Sequence, residues 1–181
     1  MSNVSNFEKF AKRRKQMKYI SIDPAKQSGV ALWDADKLAG TGIIKPCGNK
    51  GKYWKMGFKV ASKYDAYNDL IESLAVLDPS GVVFIEHGTG GFHNANMAQA
   101  GLREYIKSIC DRHSIKMVEI RTSEWRRVIR EDQNLSWPAG RDAKKALSVK
   151  LVKSLYGIDT CDDVADAVLI GRAAQRMGMT E

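Results

Sequence analysis

The stretch from Lys18 to Trp33, reading Lys-Tyr-Ile-Ser-Ile-Asp-Pro-Ala-Lys-Gln-Ser-Gly-Val-Ala-Leu-Trp, leaves little freedom of local structure. Ile20 and Ile22 point one way in a strand, while Tyr19, Ser21 and Asp23 point the other. Pro24 cannot donate to a ladder, so the strand ends on Asp23 and holds an acid at its tip. Gly29 then lets backbone come close to whatever Asp23 holds, and Val30 to Trp33 resumes a β-rich run. Taken alone, this is a hairpin whose Asp-Pro starts a turn. Other parts of the chain give the acid a further meaning.

Beyond the polar Asp34-Ala-Asp turn, a third strand is expected over Lys37 to Ile44, completing an antiparallel meander. Val60, Tyr64, Tyr67, Ile71 and Leu74 recur at helical spacing until Asp78-Pro79 stops them. Val82-Val-Phe-Ile85 is apolar without alternation, as in a central strand covered on both faces, and it too ends in an acid, Glu86. Gly88, Gly90 and Gly91 make a flexible loop. A helix from Ala95 to His113 and a last strand over Lys116 to Ile120 follow. Thr122 or Ser123 is placed to cap a short helix through Arg130, and Glu131 to Gly140 reads as a mobile connection. Asp142 is placed to cap a helix that Gly157 ends, and a final helix covers Asp162 to Met177. The expected fold is α/β: a mixed five-stranded sheet, three antiparallel then two parallel strands, with helices on both faces.

The chain's 181 residues suit one full domain, expected over residues 18–181. The 29 Lys and Arg against 21 Asp and Glu give a net charge of +8, which favours a polyanionic partner, nucleic acid first. Residues 1–17 read as a basic arm that includes Arg13 and Arg14. Residues 46–59 read as a loop interleaving lysines with aromatics, Lys52 and Trp54 among them, a composition that suits backbone tracking and base stacking. Cys47, Cys110 and Cys161 have no metal or disulfide spacing, so a reducing, cytosolic setting is expected. No apolar run is long enough for a membrane span or signal core.

On a basic protein, two strands that both end in acids need a reason to gather negative charge. The start of the last helix adds Asp162, Asp163 and Asp166. Asp163 pairs with Asp166 at three residues' spacing and Asp162 with Asp166 at four, so either pair shares a helix face. A set of carboxylates without His or Cys is a hard-oxygen site suited to Mg²⁺ or Mn²⁺. Two such ions about 4 Å apart can drive phosphodiester hydrolysis.

Ile22-Asp-Pro-Ala-Lys-Gln-Ser-Gly-Val-Ala, Phe84-Ile-Glu-His and Asp163-Val-Ala-Asp-Ala-Val-Leu-Ile-Gly resemble, in this order, the motif blocks of RuvC-type Holliday junction resolvases. The resemblance implies a ribonuclease H-like fold and a metal-dependent endonuclease that resolves four-way DNA junctions by paired nicks. It places the metal-binding acids on Asp23, Glu86, Asp163 and Asp166, with two Mg²⁺ ions per site. It places a catalytic lysine on Lys144, with Lys145 its rival, and a second cation on Arg126, with Arg127 competing. Phe92 matches an aromatic that wedges into the opened junction. The helix starting at Asn94-Ala-Asn-Met implies a homodimer. Ala25 stands where the family has glycine, and the basic arm is not part of its pattern. Two other readings remain open on the same residues: a nuclease for flaps, forks or RNA:DNA hybrids, and a junction-binding scaffold without catalysis.

Overall fold

The computed structural model describes residues 17–25, 27–47, 52–55, 58–60, 63–87 and 93–180, with the side chains of 45–63 and 93–98 excepted. The first three strands, β1 (Lys18–Asp23), β2 (Ser28–Asp34) and β3 (Lys37–Cys47), form the expected meander. Two short strands follow, β4 (Lys52–Lys55) and β5 (Phe58–Val60), and then helix α1 (Lys63–Leu77). Strand β6 (Val82–His87), helix α2 (His93–Arg112) and strand β7 (Lys116–Arg121) complete the sheet. Helices α3 (Thr122–Gln133), α4 (Arg141–Tyr156) and α5 (Asp162–Arg176) end the chain. No described helix is long and apolar enough to cross a membrane.

The strands run in the order β5-β4-β3-β2-β1-β6-β7. Strand β6 lies parallel to both β1 and β7, whereas the pairs from β1 out to β5 are antiparallel. The five expected strands are thus present in the expected sense. The segment 46–59 departs from the reading as a loop: β3 runs on through Pro46 to Cys47, and β4 and β5 extend that edge. Its lysines and aromatics mask a β-rich run, and Pro46 is tolerated near the strand's end.

Alternation along the strands divides the core. Ile20, Ile22, Val83 and Ile85 face α1 and α2, where they meet Leu70, Ile71 and Ile106. Tyr19, Trp33, Val82, Phe84 and Ile120 face the other way, against Trp125, Val152 and the length of α5. Helix α5 is nearly all buried, from Val164 to Ala174. It lies close to the sheet because Gly171 has no side chain where the two meet. A Cβ on Gly171 would sit 2.3 Å from the Trp33 indole nitrogen and 2.6 Å from Ser21 Oγ, which that indole hydrogen-bonds at 2.9 Å.

The helix starts differ from the expected caps. Helix α3 follows β7 directly with extended Arg121 as its N-cap, and Gly140 occupies that place on α4; neither end has a side-chain cap. Thr122, Ser123 and Asp142 therefore lie inside the first turns.

Candidate active site

Asp23 and Glu86 reach the same end of the sheet because their strands are parallel neighbours. The register pairs Ile22 with Ile85, so the next residue on each strand is an acid. Tyr19 and Phe84, on the same side as these acids, face α5. The start of α5 is held there by Gly29, which pairs with Asp23 across the hairpin. A Cβ on Gly29 would stand 1.8 Å from the carbonyl oxygen of Asp163 and 2.7 Å from the nitrogen of Val164. What approaches through this gap is therefore the backbone of another site residue.

The electrostatics show a crowded set of acids. Asp23 is only 9% exposed, and burial raises its carboxyl well above the ordinary carboxylate range. The charges of Glu86, Asp166 and Asp163 push it the same way, as does a hydrogen bond with Glu86. Burial also pushes Asp166 up to about 6, with Glu86 adding to the rise and Ser148, Arg126 and Lys145 pulling it partly back. The Oδ1 of Asp166 is buried without a hydrogen-bond partner. Asp163 is raised too, first by burial and then by the adjacent Asp162, against the pull of Lys145 and Arg141.

Asp162 differs from this group. Its carboxylate pairs with Lys145, which holds it below the ordinary range. Of the two acids that could share a helix face with Asp166, Asp163 is thus the one within the field of Asp23.

The cations divide similarly. Lys145 Nζ bonds Asp162 and lies 4.0 Å from Asp163. Lys144, the expected catalytic lysine, is half-buried one position earlier, where the helical turn gives its side chain a different direction. Arg126 packs against both rings of a touching tryptophan pair, its guanidinium carbon 4.9 Å from the centroid of Trp125 and 5.6 Å from that of Trp137. Arg127 instead bonds Glu131 at 3.2 Å. Phe92 and the arm residues Arg13 and Arg14 lie outside the described residues. Lys52 and Trp54 are described only as backbone of β4.

The sequence reading missed Trp125 and Trp137. Trp125 is fully buried and its Nε1 donates to Glu86 Oε1 at 2.9 Å. Trp137, in the segment expected to be a mobile connection, packs edge-on to Trp125 and donates to the carbonyl of Arg126 at 2.8 Å. The available signal is a tryptophan within a short arginine-rich helix and another just beyond its end.

The donor set can be tested against a divalent cation. Among the described residues, no three acid, histidine or cysteine side chains already close on one point as an assembled cage. The chemistry of the set nevertheless fits a hard cation. Carboxylates in direct contact must share a proton or a cation, and the unpartnered oxygen of Asp166 has ligand capacity to spare.

No protein-family model matches the chain, and no curated protein matches its sequence. Solved structures do. The structure of Thermus thermophilus RuvC in complex with a Holliday junction substrate is similar with a TM-score of 0.60 at 12% identity, covering 91% of this chain and 98% of that one. A second structure of Thermus thermophilus RuvC gives 0.54 at 14% identity, covering 91% and 99%. The chain therefore has the ribonuclease H-like fold in the form found in RuvC.

Proposed function

We propose that the protein is a metal-dependent, structure-selective endonuclease that resolves four-way DNA junctions, acting as a homodimer. The observation that carries this reading is the gathering of Asp23, Glu86, Asp163 and Asp166 at one end of the sheet of a chain with net charge +8. Negative charge concentrated in a buried corner of a basic protein has a use when a cation sits between it and a polyanion. The shared fold with a RuvC structure solved on a Holliday junction supports the choice of DNA substrate.

In this reading those four acids hold two Mg²⁺ ions, with Mn²⁺ as a substitute. When bound, such ions supply an activated water and stabilise the leaving oxygen in phosphodiester hydrolysis. The protein's own groups do the rest. Lys145, with Lys144 beside it on α4, offsets charge on the scissile phosphate. Arg126, held on aromatic faces, presents its guanidinium to the DNA backbone. The basic arm and the β4–β5 edge add salt-sensitive, sequence-independent affinity, and a two-fold dimer places two nicks symmetrically. The unpaired Cys110 and Cys161 suit a reducing compartment.

The test is cleavage of an end-labelled four-way junction in Mg²⁺, beside a fork and a linear duplex, with Glu86→Gln as control. Paired nicks confined to the junction and lost in the variant are expected. Preference for the fork would move the substrate to other branched DNA. Binding without cleavage in either metal would leave a scaffold.

A further inference from the structure

Trp125 belongs to the apolar core by position and to the acid site by its one polar atom. It is fully buried near the start of α3, against β6 and α5. An indole nitrogen can donate and cannot accept. Here it donates to Glu86 Oε1, so one oxygen of that carboxylate is held from the side away from solvent. Phenylalanine would fill an apolar pocket as well, and a tryptophan needing only satisfaction could use a backbone carbonyl, as Trp137 does with Arg126. Trp125 instead directs its N–H at the half-buried strand-end acid. The perpendicular contact with Trp137, 5.7 Å between centroids at 89°, limits how far its ring can turn.

We infer that Trp125 is a positioning residue whose indole N–H fixes the Glu86 carboxylate in the orientation that receives a divalent cation. It acts through Glu86 and touches neither the ion nor the DNA. The inference rests on the reading of the acids as a cation site and extends it to the shell behind them. Hydrogen-bond partners behind a metal ligand orient it, and losing one typically weakens metal binding by about 10- to 100-fold.

Trp125→Phe keeps a ring in the core and a face toward Arg126 and deletes the N–H. Mn²⁺ binding, followed by loss of the free-ion signal in electron paramagnetic resonance, should weaken about tenfold or more in the variant. Its cleavage should be impaired at limiting Mn²⁺ and recover at saturating Mn²⁺, with KM for DNA unchanged; a merely structural defect would not be rescued by the ion. Folded Trp125→Phe that binds Mn²⁺ as tightly as wild type overturns the inference and leaves the cation site standing. Wild type that binds no Mn²⁺ overturns both. Should Trp125→Phe fail to fold, the indole ¹H–¹⁵N signal of Trp125 in wild type carries the test. It should move on adding Mg²⁺ and on Glu86→Gln, and a signal indifferent to both overturns the inference.

Discussion

The two faces of the sheet are built from the same strands and each buries an apolar core, but only one of them also buries acids at the strand ends. Toward α1 and α2, alternate residues of β1 and β6 are Ile20, Ile22, Val83 and Ile85, and they meet an apolar cluster. Toward α3, α4 and α5, the same strands present Tyr19, Ser21, Asp23, Phe84 and Glu86. The buried Asp23, Ser148 and Asp166 belong to this second side. Burying apolar groups stabilises a fold at about 25 cal/mol per Å², whereas burying carboxylates beside one another works against it. Both faces bury an apolar core, and the second gives up some of its stability at the strand ends to concentrate charge. Substitutions in the first core and among these acids should therefore separate stability from activity.

The largest effect is expected at Gly29, where the faces' geometry depends on an absent side chain. Gly29→Ala would place a carbon 1.8 Å from backbone that cannot rotate away, so α5 must shift. A loss beyond about 4 kcal/mol in denaturant unfolding is expected, with cleavage lost as well. On the apolar face, Ile106→Ala removes a fully buried side chain and should cost about 2–5 kcal/mol, with kcat of the surviving folded protein near wild type. A large kcat effect from Ile106→Ala would break the division between the faces.

Asp166→Asn should do the reverse, raising stability while removing cleavage. The sign follows from linkage. The folded carboxyl, at about 6, lies above its ordinary value of 3.8, so the folded state binds more protons in between and stability falls as pH rises through that window. At pH 7 without metal, removing the charge should stabilise by about 1–3 kcal/mol, with the gain vanishing below about pH 4. Thermal unfolding at both pH values measures it. The smallest effect concerns the basic N-terminal segment. Deleting residues 1–16 should reduce the salt dependence of DNA binding and leave the divalent-cation requirement of cleavage unchanged.

Much of this was legible in the sequence because it depends on short-range rules. Pro24 ends β1 on Asp23, the unalternating Val82–Ile85 run marks a strand covered on both sides, and Gly157 closes α4 in a left-handed conformation. The convergence of Asp23, Glu86 and the α5 acids followed from strand ends and helix spacing together with the family resemblance. What escaped notice depends on long-range packing. The role of Gly29 lies in a contact with a residue more than a hundred positions away. Periodicity cannot tell which of Lys144 and Lys145, or of Arg126 and Arg127, turns inward, because adjacent helical residues differ by about 100° in direction. Trp125 and Trp137 sit among charged residues in the sequence, and only the tertiary fold brings their N–H groups to Glu86 and to the carbonyl of Arg126. The edge strands β4 and β5 were hidden by a composition typical of loops.

The claim that the second face gathers acids to hold a cation is tested most directly by the melting temperature at pH 7.5 with and without Mg²⁺ or Mn²⁺, for wild type and Asp23→Asn. A cation that binds the folded state should raise the wild-type melting temperature, with a stabilisation of about 2.7 kcal/mol at a hundredfold excess over Kd. Asp23→Asn should start higher without metal and gain little from it. A wild-type protein whose melting temperature ignores saturating Mg²⁺ and Mn²⁺ would contradict the account.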